Sequence, residues 1–344
     1  MSVAEADVAA LNEAPQDGRV RAPRKGSSPL VWMVVLAVSV LWGTEGVATR
    51  VALEGGTSAY AVSSLRLAIA SLFIGGFLAI RQRKLRVSRH VMADGVVMAI
   101  AQVVVPPVLF AASLRHLNVG TASLMFALAP AVTVLWMRLL SQTKHLGMSA
   151  RFGLLISGLG AATLVLAESR AVSPTGRPVV GAALVLSSVS LSSFAGVYSK
   201  RHARHPALQM MAPEIFIGTA VLLTPGLLVD GWGSVSLKSW AAIGYLGIAA
   251  TLLPLALLYW LVRRTDAVKA SFVNYLFPVV AIMLGAAIYN EALTAGLAGG
   301  AVCLLTGVGV VEAASGDNDR GAEELRPCPE MGTLPVALSG SYLE

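Results

Sequence analysis

The chain has 344 residues, 56% of them hydrophobic and only 13% charged, with a net charge of +7. The charged share is about half that of a soluble domain, and the apolar residues fall in blocks of about twenty, the length that crosses a bilayer core. An ordinary soluble protein is excluded. The basic residues sit in short turns between the blocks, which points to a membrane surface and away from nucleic acid as a partner.

Residues 1–29 are polar and Ala/Pro-rich, and are expected to form a disordered cytoplasmic N-terminus. No cleavable signal peptide is evident, so the first apolar block reads as an uncleaved span. Ten blocks follow, at about 30–53, 58–80, 92–114, 118–139, 150–167, 179–199, 207–229, 239–262, 267–289 and 292–312. Residues 168–178 read as an external linker, and 313–344 as a disordered cytoplasmic tail. Backbone polar groups in lipid must be bonded within their own segment, and these blocks are continuous rather than short and alternating. Helices are therefore expected, not a barrel. The expected fold is an all-α integral membrane protein with ten transmembrane helices.

The turns set the orientation. With the N-terminus inside, the internal segments hold Arg/Lys in the numbers four (19–25), five (81–89), three (138–151), three (200–204), three (263–269) and two (tail). The opposite turns hold only Arg115, Arg170, Arg177 and Lys238, and Arg50 and Arg66 lie within spans. Both termini are expected to be cytoplasmic, in the plasma (inner) membrane.

Shifting the chain by about 148 residues superposes Pro106 on Pro254, Pro130 on Pro278, Ala122-Ser123 on Ala270-Ser271, and Arg115 on Arg263. With small gaps Gly46-Val47 meets Gly196-Val197, and Gly158 and Gly160 meet Gly307 and Gly309. Prolines are costly inside helices, so paired mid-span prolines mark a repeat. Each copy holds five spans, and an odd number makes the second copy enter from the other side. The halves, 30–167 and 179–312, are thus expected to be inverted repeats, an architecture that places a site near the midplane and supports alternating access.

The chain resembles the drug/metabolite transporter superfamily, in its ten-span group built from two EamA domains. The resemblance rests on Leu41-Trp42-Gly43, Leu65-Arg66, the pairs Ala122-Ser123…Pro130 and Ala270-Ser271…Pro278, and Asn290-Glu291-Ala292-Leu293-Thr294 before a Gly-rich last helix. It covers about residues 30–312. It implies a proton- or gradient-driven carrier, often an exporter, for small metabolites, amino acids or drugs, with a central cavity between the halves. One departure is that Gln142-Thr143 stands in the first repeat where Asn290-Glu291 stands in the second.

Two charges fall inside spans. An unpaired charge at mid-bilayer costs about 2.5–3.5 kcal/mol or more. Glu45 lies eight residues before the end of the first block and Arg66 eight after the start of the second, so both sit about 12 Å below the outer surface. They are expected to pair, either as a fixed ion pair or as a coupling and gating pair that takes up protons or a substrate carboxylate. Trp42, Gln102, Asn274 and Tyr275 are further candidates to line a cavity. Pro106, Pro130, Pro254 and Pro278 are expected to kink their helices, and Pro278 frees the carbonyl of Asn274.

Glu214, at the repeat position of Arg66, is expected near the cytoplasmic interface, meeting Lys200 or Arg204. Asp94 is expected at the same interface, and Tyr259 and Trp260 in an aromatic belt. Glu291 is expected to cap the last helix. Gly296 and Gly300, with Gly153, Gly158 and Gly160, suggest close packing of the fifth and tenth spans.

Cys303 reads as a packing residue, and neither it nor Cys328 has a metal-ligand spacing. No phosphate loop, HExxH or GxSxG motif is present, so no cofactor, metal or enzymatic activity is expected. The expected function is secondary active transport, with the lipid bilayer, a small-molecule substrate and the proton as partners. The alternatives are a passive channel or uptake carrier, and a membrane-embedded enzyme. The sequence leaves the oligomeric state open.

Overall fold

The computed structural model describes residues 29–80, 88–141, 147–171, 177–202, 207–228, 235–265 and 267–324, which are helical apart from short turns. Ten helices follow one another: α1 (Pro29–Glu54), α2 (Ala59–Ile80), α3 (Arg89–Ser113), α4 (Val119–Leu140), α5 (Met148–Ala171), α6 (Pro178–His202), α7 (Ala207–Leu228), α8 (Leu237–Leu261), α9 (Ala267–Tyr289) and α10 (Ala295–Glu324). Among the described residues nine are long and apolar enough to span a bilayer, and α7 holds a shorter apolar stretch, Leu208–Thr224. The chain is an all-α multi-pass membrane protein.

Short polar side chains start the helices where the sequence supplies them. The hydroxyls of Ser58, Ser88, Ser236 and Thr294 accept from the backbone N–H groups of Ala61, Val91, Ser239 and Leu297 at 3.1–3.3 Å. Each satisfies an N–H that has no partner within its own helix. Large apolar side chains cover the outside, Leu72, Ile80, Leu139, Leu155 and Val179 among them. Such a surface is stable against lipid tails and not against water.

The packing repeats with a period of five helices. α1 packs on α8 and α9, and correspondingly α6 packs on α3 and α4. α2 packs on α8 as α7 packs on α3, while α2–α7, α4–α9 and α5–α10 pair each helix with its own repeat mate. That is the pattern of a two-fold axis running between halves that enter the membrane from opposite sides. Below, the near face is the one where α1 starts and α10 ends, and the far face is the one where α1 ends.

The first proline pair acts alike and the second does not. Pro106 and Pro254 both follow a wide π-helical stretch, Ala99–Val104 in α3 and Ile248–Leu252 in α8, and open the α-helical segment after it. There the missing N–H is absorbed without loss. Pro130 follows a break in α4 between Phe126 and Ala129, whereas α9 runs unbroken through Pro278.

The glycines of α5 and α10 serve contact within one chain. A Cβ at Gly153 would lie 2.7 Å from the Gly307 carbonyl, and one at Gly300 would lie 2.7 Å from Leu164. Gly158 faces open space. Two boundaries shift: α5 runs to Ala171, which takes Glu168 out of the expected linker, and α10 continues to Glu324, past the expected boundary at 312. Residues 1–28 and 325–344, including Cys328, lie outside the described residues.

Candidate functional site

The site centres on Gly43, Thr44 and Glu45 in the middle of α1. The backbone stays helical here, with Thr44 N donating to the Val40 carbonyl and Ala48 N to the Thr44 carbonyl, each at 3.0 Å. Three neighbouring helices meet this segment. Gly43 presses on α9, where a Cβ would lie 2.9 Å from the Phe277 carbonyl. The Thr44 hydroxyl lies 2.6 Å from the Tyr245 hydroxyl of α8. Glu45 turns to α2 and accepts from Arg66 Nη1 at 2.5 Å.

Arg66 also donates through Nε to the Thr251 hydroxyl of α8 at 2.8 Å. The Thr251 hydroxyl in turn donates to the Leu246 carbonyl, five residues back in the π-helical stretch. The guanidinium thus bridges an acid of its own half and a hydroxyl of the other. The side chains of Arg66 and Glu45 are only 7% and 18% exposed, so the ion pair is shielded from solvent, where paired charges keep much of their mutual attraction. α8 comes this close because Gly247 has no side chain; a Cβ there would lie 2.8 Å from the Arg66 carbonyl.

Beside the ion pair runs a chain of rings in edge-on contact. Trp42 meets Phe277 at 6.5 Å between centroids, Phe277 meets Phe126 at 6.2 Å, and Phe126 meets Phe110 at 5.3 Å. These rings come from α1, α9, α4 and α3, and they join the halves by an apolar contact favoured by the ring quadrupoles. Of the sequence candidates, Trp42 belongs to this chain. Tyr275 packs among the helices that meet α5 and α10, its hydroxyl facing Glu312. Gln102 lies half-buried in the π-helical stretch of α3, and Asn274 half-buried in α9 one turn before Pro278.

The far face carries a second polar cluster. Asn290 ends α9 with a left-handed backbone (φ 51°), a conformation asparagine tolerates better than most residues. The turn sends the Glu291 side chain across to α4. There Oε1 accepts from Val119 N at 2.8 Å and from Arg50 Nη1 at 3.0 Å, and Oε2 accepts from Gly120 N at 3.0 Å. Gly285 leaves room for this carboxylate, which a Cβ would strike. Arg50 also pairs with Glu54 at 3.4 Å and lies 4.5 Å over the Tyr289 ring. Glu168 of α5 accepts from Asn118 N at 2.7 Å and from the Thr121 hydroxyl at 2.6 Å. Two carboxylates therefore seal the N-terminus of α4, where helix dipole and free N–H groups favour negative charge. The cluster borders a cavity of about 250 Å³.

Three expectations are corrected, at Glu291, Glu214 and Tyr259, and Asp94 gains a partner that the sequence did not suggest. Glu291 caps α4, because the turn at Asn290 directs it away from α10, which Thr294 caps. Glu214 is completely buried and takes a hydrogen bond from the Tyr259 hydroxyl at 3.1 Å; the side chains of Lys200 and Arg204 lie outside the described residues. Tyr259 accordingly turns inward to Glu214 instead of standing in an aromatic belt. Asp94 is buried under α6, accepting from the Tyr198 hydroxyl at 2.8 Å. Trp260 stacks under Arg264 at 4.8 Å. Among the described residues no group of three or more His, Cys, Asp or Glu side chains could hold a metal ion.

Sequence reasoning missed Glu168, Thr251, and the ring partners Phe110, Phe126 and Phe277. Glu168 gave one signal, a lone acid at the end of an apolar block. The rings gave none, since their meeting depends on which faces the helices present.

A two-fold bundle of this kind has a counterpart among known proteins. The model of the EamA-like transporter family matches residues 30–166 and again residues 179–312. The chain belongs to the EamA-like transporter family. As a member of that family it is a membrane transporter. It is 28% identical over 261 residues, 75% of this chain and 84% of the relative, to a protein of Streptantibioticus cattleyicolor described as a "probable terminal-alkyne amino-acid exporter". It is 22% identical to the uncharacterized inner membrane transporter YedA of Escherichia coli K12, over 76% of this chain and 83% of the relative. An uncharacterized transporter of Archaeoglobus fulgidus is 24% identical over 81% of this chain and 98% of the relative. A solved crystal structure shares the fold, with a TM-score of 0.60 at 19% identity over 85% of this chain and all of the other.

Proposed function

We propose that this EamA-family transporter is a secondary active exporter of small organic solutes, working by alternating access in the inner membrane with the near face and both termini cytoplasmic. One observation carries the reading: the Arg66 guanidinium is held at once by Glu45 of the first half and Thr251 of the second. A cation that spans the moving interface senses the rocking of one half against the other. When the halves part, Arg66 loses Thr251 and can take a substrate carboxylate in its place, an exchange favoured by bidentate guanidinium geometry.

Amino-acid-like solutes are the substrate class to test first. They offer the carboxylate that Arg66 would receive, and one relative is described as an amino-acid exporter. The Trp42–Phe277–Phe126–Phe110 rings supply an apolar surface beside the charge, suited to a solute with a nonpolar side chain.

The test compares culture media of hosts producing the native chain, Glu45→Gln or Arg66→Ala at matched membrane levels. Mass spectrometry of the medium should find a compound that accumulates only with the native chain. Identical media across all three would overturn the assignment of substrate binding and gating to this pair. Flux that neither saturates nor responds to a gradient would favour a passive channel instead.

A further inference from the structure

We propose that Glu214 is the site that carries the coupled proton, held as the neutral acid beneath Tyr259; this rests on the reading of the chain as a gradient-driven carrier. Glu214 lies seven residues into α7 from Ala207, about 10 Å from the near face at 1.5 Å per residue. It is completely buried. Tyr259 donates to Oε2, and Oε1 has no partner among the described residues. Tyr259 also packs against an apolar cluster formed by Ala70 and Ile74 of α2, Met211 and Ile215 of α7, and Leu255 of α8.

The described charged groups on the surrounding helices have partners of their own. On α2, Arg66 is bound to Glu45 and Thr251. On α3, Asp94 accepts from Tyr198. On α8, Tyr259 faces Glu214 directly. Among the described residues no Lys or Arg forms an ion pair with Glu214. A bare carboxylate with one neutral donor and no counter-charge is strongly disfavoured in so dry a site, whereas a protonated carboxyl is not.

The repeat argues the same way independently. Glu214 stands at the position of Arg66, and the register that superposes Gly46 on Gly196 sets Glu45 opposite Ala195, which is fully buried. The first half holds a permanent ion pair. The second holds an acid, with a methyl group where its counter-ion would be. That asymmetry is what a proton-binding position requires: among the described residues no cation competes with the proton. When the near face opens, water reaches Glu214, the carboxyl O–H passes its proton to that water, and the hydrated carboxylate remains. Reprotonation by water admitted when the far face opens completes the cycle and moves one proton from the far to the near side, with no other bond made or broken.

The experiment uses the full chain in liposomes and two readouts. Infrared spectra at neutral pH should show the C=O stretch of a neutral carboxylic acid in the native chain. The band should vanish in Glu214→Gln and shift in frequency in Tyr259→Phe, which removes the bond to Oε2. Native and Glu214→Gln spectra that match in this region would overturn the proposal, and so would a band that Tyr259→Phe leaves in place. The second readout loads the solute identified in the culture-medium comparison. An imposed proton gradient should drive its accumulation by the native chain, and the ratio of driven accumulation to one-for-one exchange should fall at least tenfold in Glu214→Gln. An unaltered ratio overturns the proposal. A native chain that moves solute in neither mode defeats the carrier reading instead, and the infrared result then decides the protonation state by itself.

Discussion

Ser71 and Thr219 stand 148 residues apart in the chain, and their hydroxyls lie 2.6 Å from each other where α2 crosses α7. The bonds around them are exchanged by the repeat. Ser71 lies 3.5 Å from the Ile215 carbonyl and Thr219 lies 3.0 Å from the Leu67 carbonyl, and Leu67 and Ile215 are again 148 apart. The two-fold axis of the molecule passes between these two hydroxyls.

The first prediction concerns this contact. Ser71→Ala or Thr219→Val should each cost about 1 kcal/mol, the net worth of a buried hydrogen bond. The double variant should cost less than the sum, because the residues share one interaction. Thermal unfolding in detergent of the four proteins closes the cycle, and strict additivity would show that the hydroxyls do not couple.

Arg66→Ala should destabilise the chain by about 3 kcal/mol, because it leaves the shielded Glu45 without its cation. Adding Glu45→Gln should recover much of that loss. A double variant no more stable than Arg66→Ala would mean that packing around the guanidinium, and not charge, holds the site.

Glu291→Gln should loosen the far face. Removing a carboxylate that caps α4 costs about 1 kcal/mol, so the amides of Val119 and Gly120 should exchange with deuterium several-fold faster. Amides of Ser239 and Ala242 in α8 serve as internal references. Gly285→Ala should mimic the effect, since the added methyl displaces the same carboxylate.

Gly307→Leu should abolish folding, because a Cβ at Gly307 would strike the Ser157 backbone N and lie 2.6 Å from the Gly153 carbonyl and 2.8 Å from Ser157 Cα. Gly158→Leu, at a position open to lipid, should leave membrane abundance unchanged. Fluorescence-detected size-exclusion profiles of the two variants separate a packing requirement from a general intolerance of bulk in α5.

The ten spans were legible because hydrophobicity is a local property: each block records its own burial in lipid without reference to its neighbours. The Glu45–Arg66 contact was legible for a related reason, since two charges at equal depth on consecutive antiparallel helices have few other partners. Glu214 was misread. Its depth suggested an interface, and nothing local reveals that α2 and α8 close over it or that Tyr259 turns inward. The target of Glu291 was hidden for a different reason: one left-handed residue, Asn290, decides whether the carboxylate meets α10 or α4. Thr251 escaped notice because a hydroxyl in an apolar run is unremarkable until a π-helical stretch turns it toward Arg66.

The carboxylate at Glu291 has a consequence for the energetics of the resting molecule. A flawless inverted repeat would have two shapes of equal energy, each the mirror of the other in function, and would spend half its time in each. Thr143 occupies the matching position of the first repeat, so the repeat carries no second copy of this carboxylate. On the proposed alternating-access reading, that difference makes the two shapes unequal in energy and favours the one in which the far end is closed.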